Sequence, residues 1–179
     1  MRTRHFPGSG FLFDLGSQSV DDYAAETPVL DLRDYLSGPL SACGVFFGLS
    51  GRAERRFTVD MIGRWLDGKG TLDERFRYDD GRIDERCWSL TFSGDGTFTA
   101  TAHDVEGEAT GVQRGNAAMM RYRLRVPRAK GDIVVSMEDW FYLMDDGRLI
   151  NRARMSKFGL KVGELFVSFS KATSAAGAP

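Results

Sequence analysis

Glu74, Arg86 and Asp104 are charged residues set in runs that otherwise alternate apolar with polar types. On one face, two carboxylates and a guanidinium could orient an acidic head group through Arg86, exchange protons with a substrate, or form an internal ion-paired strut. Whether they share a face depends on the turns between the strands that carry them. Asp79-Asp80-Gly81 and Asp145-Asp146-Gly147, each followed by Arg, sit between alternating runs and read as β-hairpin turns.

At the first turn, Leu72, Phe76 and Tyr78 meet Trp88, Leu90 and Phe92 on one face only if residue 78 pairs with 82. That is a three-residue loop with Gly81 in the left-handed conformation. It sets Glu74 opposite Arg86 and Leu72 opposite Trp88. At Gly94-Asp95-Gly96, pairing 93 with 97 aligns Phe92 with Phe98, Leu90 with Ala100 and Arg86 with Asp104. A loop at Asp67–Gly70 is expected to set Gly63 opposite Glu74, leaving space beside the carboxylate. At Asp145, pairing 144 with 148 aligns Phe141 with Asn151 and Asp139 with Ala153. Asp139 and Asn151 thereby join an apolar face of Val135, Met137, Met155 and Met120. The expected ligand-binding set is Glu74, Arg86, Asp104, Asp139 and Asn151, with Trp88 and Tyr122 as aromatic lining. Small Ala100 and Ala102 opposite large side chains leave volume for one ligand.

Strands are expected near 40–48, 53–66, 71–78, 82–92, 97–104, 105–112, 117–126, 132–144, 148–156 and 162–170, the sixth having the weakest pattern. Ser19 can cap a short helix through Ala25, and a second helical turn covers Leu30–Leu36. Ten sequential short strands form a meander, and closing it removes both edges. The expected fold is therefore all-β: an antiparallel up-and-down, lipocalin-like (calycin-like) barrel with a short N-terminal helical segment. Residues 1–27 read as an N-terminal extension, 28–171 as the barrel and 172–179 as a disordered tail.

The chain has 179 residues, 42% hydrophobic content and a formal net charge of −1. That suits one globular domain and gives no overall field for nucleic acid. No apolar stretch approaches the roughly 18 residues of a membrane span, and Phe11-Leu12-Phe13 is too short for a signal core. Leu40-Ser41-Ala42-Cys43-Gly44 has the form of a lipoprotein cleavage box but follows Asp31, Arg33 and Asp34, so lipidation is not expected and the location reads as cytoplasmic. Cys43 and Cys87 lack metal or redox spacing, His5 and His103 form no triad, and no metal or cofactor is expected. Arg121, Arg123 and Arg125 form an outward stripe that Glu138 can pair. Trp140, Tyr142 and Phe166 also point outward, as a homodimer surface or beneath the N-terminal segment.

Several stretches resemble the bacterial family known as domain of unknown function 3833. They are Asp34-Tyr35-Leu36-Ser37-Gly38-Pro39-Leu40, Arg56-Phe57-Thr58-Val59-Asp60, Leu72-Asp73-Glu74 with Phe76 and Tyr78-Asp79-Asp80-Gly81, and Asp139-Trp140 with Tyr142-Leu143. The most specific is Asn151-Arg152-Ala153-Arg154-Met155-Ser156-Lys157-Phe158-Gly159, and the resemblance spans roughly residues 28–171. Many members look like envelope lipoproteins, whereas Cys43 here stands where others often carry an aromatic. Members also lie near genes for cyclopropane-fatty-acid-synthase-like enzymes, which implies a link to lipid metabolism. The resemblance carries no catalytic residues. The expected function is binding of a small hydrophobic, fatty-acyl or lipid-like ligand inside the barrel. The alternatives are a barrel enzyme of isomerase, cyclase or hydratase type on a lipid-like substrate, and a structural or partner-binding protein with a solid core.

Overall fold

A run of hairpins leaves two unpaired edges unless the last strand meets the first. In the computed structural model, which describes residues 18–128 and 131–171, the two meet. The strands are β1 (Gly38–Gly48), β2 (Ala53–Leu66), β3 (Lys69–Tyr78), β4 (Ile83–Phe92), β5 (Thr97–Thr101), β6 (Ala109–Arg114), β7 (Ala117–Val126), β8 (Ile133–Leu143), β9 (Leu149–Lys157) and β10 (Leu160–Lys171). Each pairs antiparallel with its sequence neighbour, and β1 closes on β10 from Leu40↔Lys171 to Gly48↔Gly163.

The alternation in the sequence becomes inside and outside. On β2, Phe57, Val59, Met61 and Gly63 are buried, while Arg56, Thr58, Asp60, Ile62 and Arg64 are exposed. The outer wall is laced with exposed cross-strand ion pairs, Arg77–Asp60 at 2.6 Å, Arg121–Glu138 at 2.8 Å and Arg64–Asp73, and Arg123 pairs at 2.7 Å with Glu106 of the β5–β6 connection. Each is worth at most about 1 kcal/mol. Charge outside and apolar side chains inside is the reverse of a membrane barrel, whose outer face carries an apolar band. No helix among the described residues is long and apolar enough to cross a membrane.

One barrel end is plugged by the chain that precedes β1. Asp31 caps the single-turn helix α1 (Leu32–Tyr35), its carboxylate accepting from the Arg33 and Asp34 N–H groups. Leu32, Tyr35 and Leu36 are buried in the main core. The Tyr35 hydroxyl donates to the Phe169 carbonyl and accepts from the Leu149 N–H, both at 3.1 Å, which stitches the plug to β10 and β9.

Two sequence expectations change and a third narrows. The β2–β3 connection is a two-residue turn, Asp67-Gly68, with both φ angles positive at 50° and 77°. Met61 rather than Gly63 therefore faces Glu74, and Gly63 faces Leu72. A non-glycine in the left-handed conformation is uncommon, so the longer loop was the natural expectation. The shift of two residues keeps every side chain on its expected face. Gly63 instead makes room for the plug: a Cβ there would lie 1.7 Å from the Leu36 carbonyl oxygen.

Next, β5 stops at Thr101 and β6 starts at Ala109, so the segment carrying Asp104 is irregular, held by a single bridge from Val105 to Leu124. Finally, Trp140 and Tyr142 point outward as expected, and of their two readings, a homodimer surface or a face beneath the N-terminal segment, the structure agrees with the second. A 3-10 turn, Val20–Tyr23, capped by Ser19, lays Tyr23 over them at centroid distances of 6.1 and 5.5 Å. Trp140 is only 4% exposed. Phe166, 42% exposed, packs against Phe47 and lies beneath Arg152. Met1–Ser17, including His5 and Phe11-Leu12-Phe13, and the expected tail 172–179 lie outside the described residues.

Gly63→Ala should push α1 off the barrel end and cost about 2 kcal/mol, in the range of other overpacking substitutions. Urea denaturation checks this: an unchanged midpoint would mean the plug is not seated against β2.

Candidate functional site

The β3–β4 turn closes as its residues dictate. Tyr78 N–H donates to the Arg82 carbonyl at 3.0 Å, and Gly81 sits at φ 84°. Glu74 thus faces Arg86 and Leu72 faces Trp88. The β4–β5 turn pairs Phe92 with Phe98 and Leu90 with Ala100. Asp104 lies beyond the end of β5, yet the extrapolated register still delivers it to Arg86. Arg86 Nε and Nη2 both donate to Asp104 Oδ2, at 3.0 and 2.6 Å. Glu74 Oε2 accepts from the Trp88 indole N–H at 3.2 Å and lies 3.8 Å from Arg86 Nη1. The anion-binding role expected for Arg86 would have to compete with these carboxylates.

Across the barrel, the Tyr122 hydroxyl donates to Asp139 Oδ2 at 3.2 Å. Asp139 faces Ala153 and Phe141 faces Asn151, as the Asp145 turn predicts. Asn151 Nδ2 donates to the Trp140 carbonyl at 3.2 Å. The Trp88 and Tyr122 rings meet edge to face at 5.4 Å and so join the two polar groups.

Between them lies an interior cavity of about 140 Å³, lined by Glu74, Arg86, Trp88, Tyr122, Asp139 and Asn151 within an otherwise apolar and aromatic wall. Among the expected residues Asp104 alone is not on it. Asp104 lies in a recess of about 300 Å³ that also holds Tyr78, Asp84, His103, Arg125 and Asp132. Arg86 and Phe76 border both spaces. Arg55, overlooked in the sequence, is half-buried beside Tyr78, with its guanidinium 5.6 Å from the ring centre and 3.1 Å from Asp80. Its phase with Phe57 and Val59 was the available signal.

Burial dominates the titration of this interior. It pushes Glu74 up to about 7 from 4.5, against the pull of Arg86 and the Trp88 N–H. It pushes Asp139 up to about 7 from 3.8, against the Tyr122 hydrogen bond and Arg86. Tyr122 is raised well above its ordinary value by burial and by the charge of Asp139. Burial alone would lower Arg86, but Glu74, Tyr122 and Asp104 outweigh it and raise it further, so Arg86 stays cationic. Asp139 Oδ1 and Asp104 Oδ1 are buried with no hydrogen-bond partner, a condition that costs about 1–3 kcal/mol or more for a charged group.

The raised carboxyls set a pH dependence. Folded Glu74 and Asp139 retain protons that the unfolded chain releases from about pH 4 upward. Their contribution to stability is therefore fully present below about pH 4 and is lost as pH rises to about 7, by up to about 3–4 kcal/mol per group. Asp139→Asn should leave stability near wild type at pH 4 and raise it at pH 8. Denaturant midpoints at the two values test this, and an Asn variant that loses stability as pH rises just as wild type does would remove Asp139 as a source.

A sequence model for a family described as protein of unknown function, DUF3833, matches residues 10–171, extending further toward the N-terminus than the motifs above. No curated protein matches the sequence. Among solved structures, the S-type phycobiliprotein lyase CPES from Guillardia theta is similar, with a TM-score of 0.60 at 6% identity, over 79% of this chain and 91% of that one. At that identity the likeness is one of fold, and it fits the closed lipocalin-like barrel described above.

Proposed function

Because the chain belongs to the DUF3833 family, described only as proteins of unknown function, we propose a function from its interior: the barrel binds a small, largely apolar molecule in the cavity beside Trp88, Tyr122 and Asp139. The supporting observation is that Glu74, Arg86 and Asp139 face a volume no side chain fills. A solid structural core would gain stability by replacing such groups with apolar ones. The lipocalin-like fold shared with the lyase is compatible with small-molecule binding.

Volume limits the ligand. An apolar protein cavity of about 150 Å³ holds benzene, so about 140 Å³ takes one compact ring or a few methylenes. A fatty-acyl or lipid-like ligand, as the sequence suggests, would bury that much of its chain and lead the rest past Arg86 into the outer recess. Entry by that route requires Arg86 and Asp104 to part.

A second reading has its own support. Glu74 and Asp139 both sit at about 7 beside the cavity, where a carboxyl is poised to give or take a proton at neutral pH. On this reading the barrel is an enzyme that moves a proton on a lipid-like substrate.

Native mass spectrometry of freshly purified protein, followed by extraction, should find a bound apolar molecule, and added benzene should bind where none is found. Ala153→Leu projects extra carbons into the cavity from its wall and should abolish both while the protein still folds. Retention of the bound mass in that variant would move the ligand to another site.

A further inference from the structure

Inside the barrel three carboxyls, Glu74, Asp104 and Asp139, face one cation, Arg86. Arg86 is committed to Asp104 through two donors at 3.0 and 2.6 Å. Its third nitrogen, Nη1, is 3.8 Å from Glu74 Oε2, beyond hydrogen-bond reach. Glu74 and Asp139 are therefore two carboxyls on one cavity that share only the far side of Arg86 as a cation, with no hydrogen bond to it. Asp139 lines the cavity and is 7% exposed; its Oδ2 is satisfied by Tyr122, and its Oδ1 is buried with no hydrogen-bond partner. The groups that act on Asp139 are Tyr122 from β7, Glu74 from β3 and Arg86 from β4, with Glu138 on the opposite face of its own strand, paired to Arg121. The same cavity is walled by Trp88, Tyr122, Phe76 and Phe141.

Carboxylates together with aromatic ring faces are the two partners an organic ammonium seeks. We propose that the interior site is specific for a small alkylammonium, whose N–H donates to Asp139 Oδ1 and whose apolar body lies among Trp88, Tyr122 and Phe141. This rests on the reading of the interior as a ligand site. An acidic head group would add negative charge beside Glu74 and Asp139, while the Arg86 fork is occupied by Asp104. An alcohol would satisfy Oδ1 but bring no positive charge, so the carboxyls would stay protonated. An ammonium supplies the missing donor and the missing charge together. Its binding then displaces one proton from the Glu74–Asp139 pair, and that proton goes to solvent.

The test titrates the full chain with n-butylamine, n-butanol, butyrate and benzene by calorimetry at pH 6 and pH 8, in buffers of different ionisation heat. n-Butylammonium should bind at least about tenfold tighter than n-butanol. It should gain about tenfold in affinity for each proton released per pH unit below about 7, with heats that depend on the buffer. Asp139→Asn should erase the preference over n-butanol and keep benzene binding, which reports an intact cavity. Equal affinity for n-butylammonium and n-butanol, tighter binding of butyrate, or no proton release would overturn the ammonium assignment while benzene binding still upholds the cavity. If none of the four binds, the ligand site itself falls, and the assignment with it.

Discussion

Closure of β1 onto β10 is the constraint on which the rest depends. In an open sheet a charged side chain on the inner face could lean toward an edge and keep its water. Once ten strands close, every second residue is committed to one interior, and Glu74, Arg86, Tyr122 and Asp139 must find partners there. Closure also sets how much must be filled. Ala42 and Ala153 on the cavity wall, with Gly44 along β1, contribute almost no volume. Leu32 and Leu36 of the plug reach in from one end, and a cavity remains between them and Arg86.

The polar interior is divided by how well each part is satisfied. Arg86 with Asp104 is a short, two-donor pair on the side facing the outer recess. Glu74 and Tyr122–Asp139 lie deeper, each with one hydrogen bond to a neighbouring aromatic residue and little else. Removing water from a carboxylate without a matched cation favours its protonated form, so the deeper pair drifts toward neutrality while Arg86 stays charged. Stability alone does not explain these groups, since a well-packed apolar substitute is commonly as good or better. What they confer is an interior whose charge responds to whatever enters it.

Much of this was legible in the sequence because hairpin turns convert local chemistry into long-range register. Gly81, Gly96 and Gly147 all sit at positive φ, and the three-residue loops they close placed Glu74, Arg86, Asp139 and Asn151 correctly. The same logic failed at Asp67, a non-glycine in the left-handed conformation, so the turn was shorter than expected and Gly63 was assigned to the wrong neighbour. Asp104 reached Arg86 although its strand ends early, because a long guanidinium tolerates an irregular backbone. The cover over Trp140 was only half legible. Its outward phase followed from Asp139, but contact with Tyr23 depends on where a short capped turn packs, which no periodicity encodes. Cavity volume was the least legible, being a small difference between enclosed space and the side chains that fill it.

Arg86 is the point where these features meet. It borders the inner cavity and the outer recess, pairs with a carboxylate on one side, and stands near a second on the other. A group in that position cannot change partners without changing the charge balance of both spaces. If Arg86 turns outward with Asp104, Glu74 loses its nearest cation and holds its proton more tightly. If Arg86 turns inward, Glu74 and Asp139 ionise more readily and Asp104 is left with both oxygens unpaired. The position of Arg86 and protonation of the interior are therefore two aspects of one equilibrium, and whatever shifts one must shift the other by the same free energy.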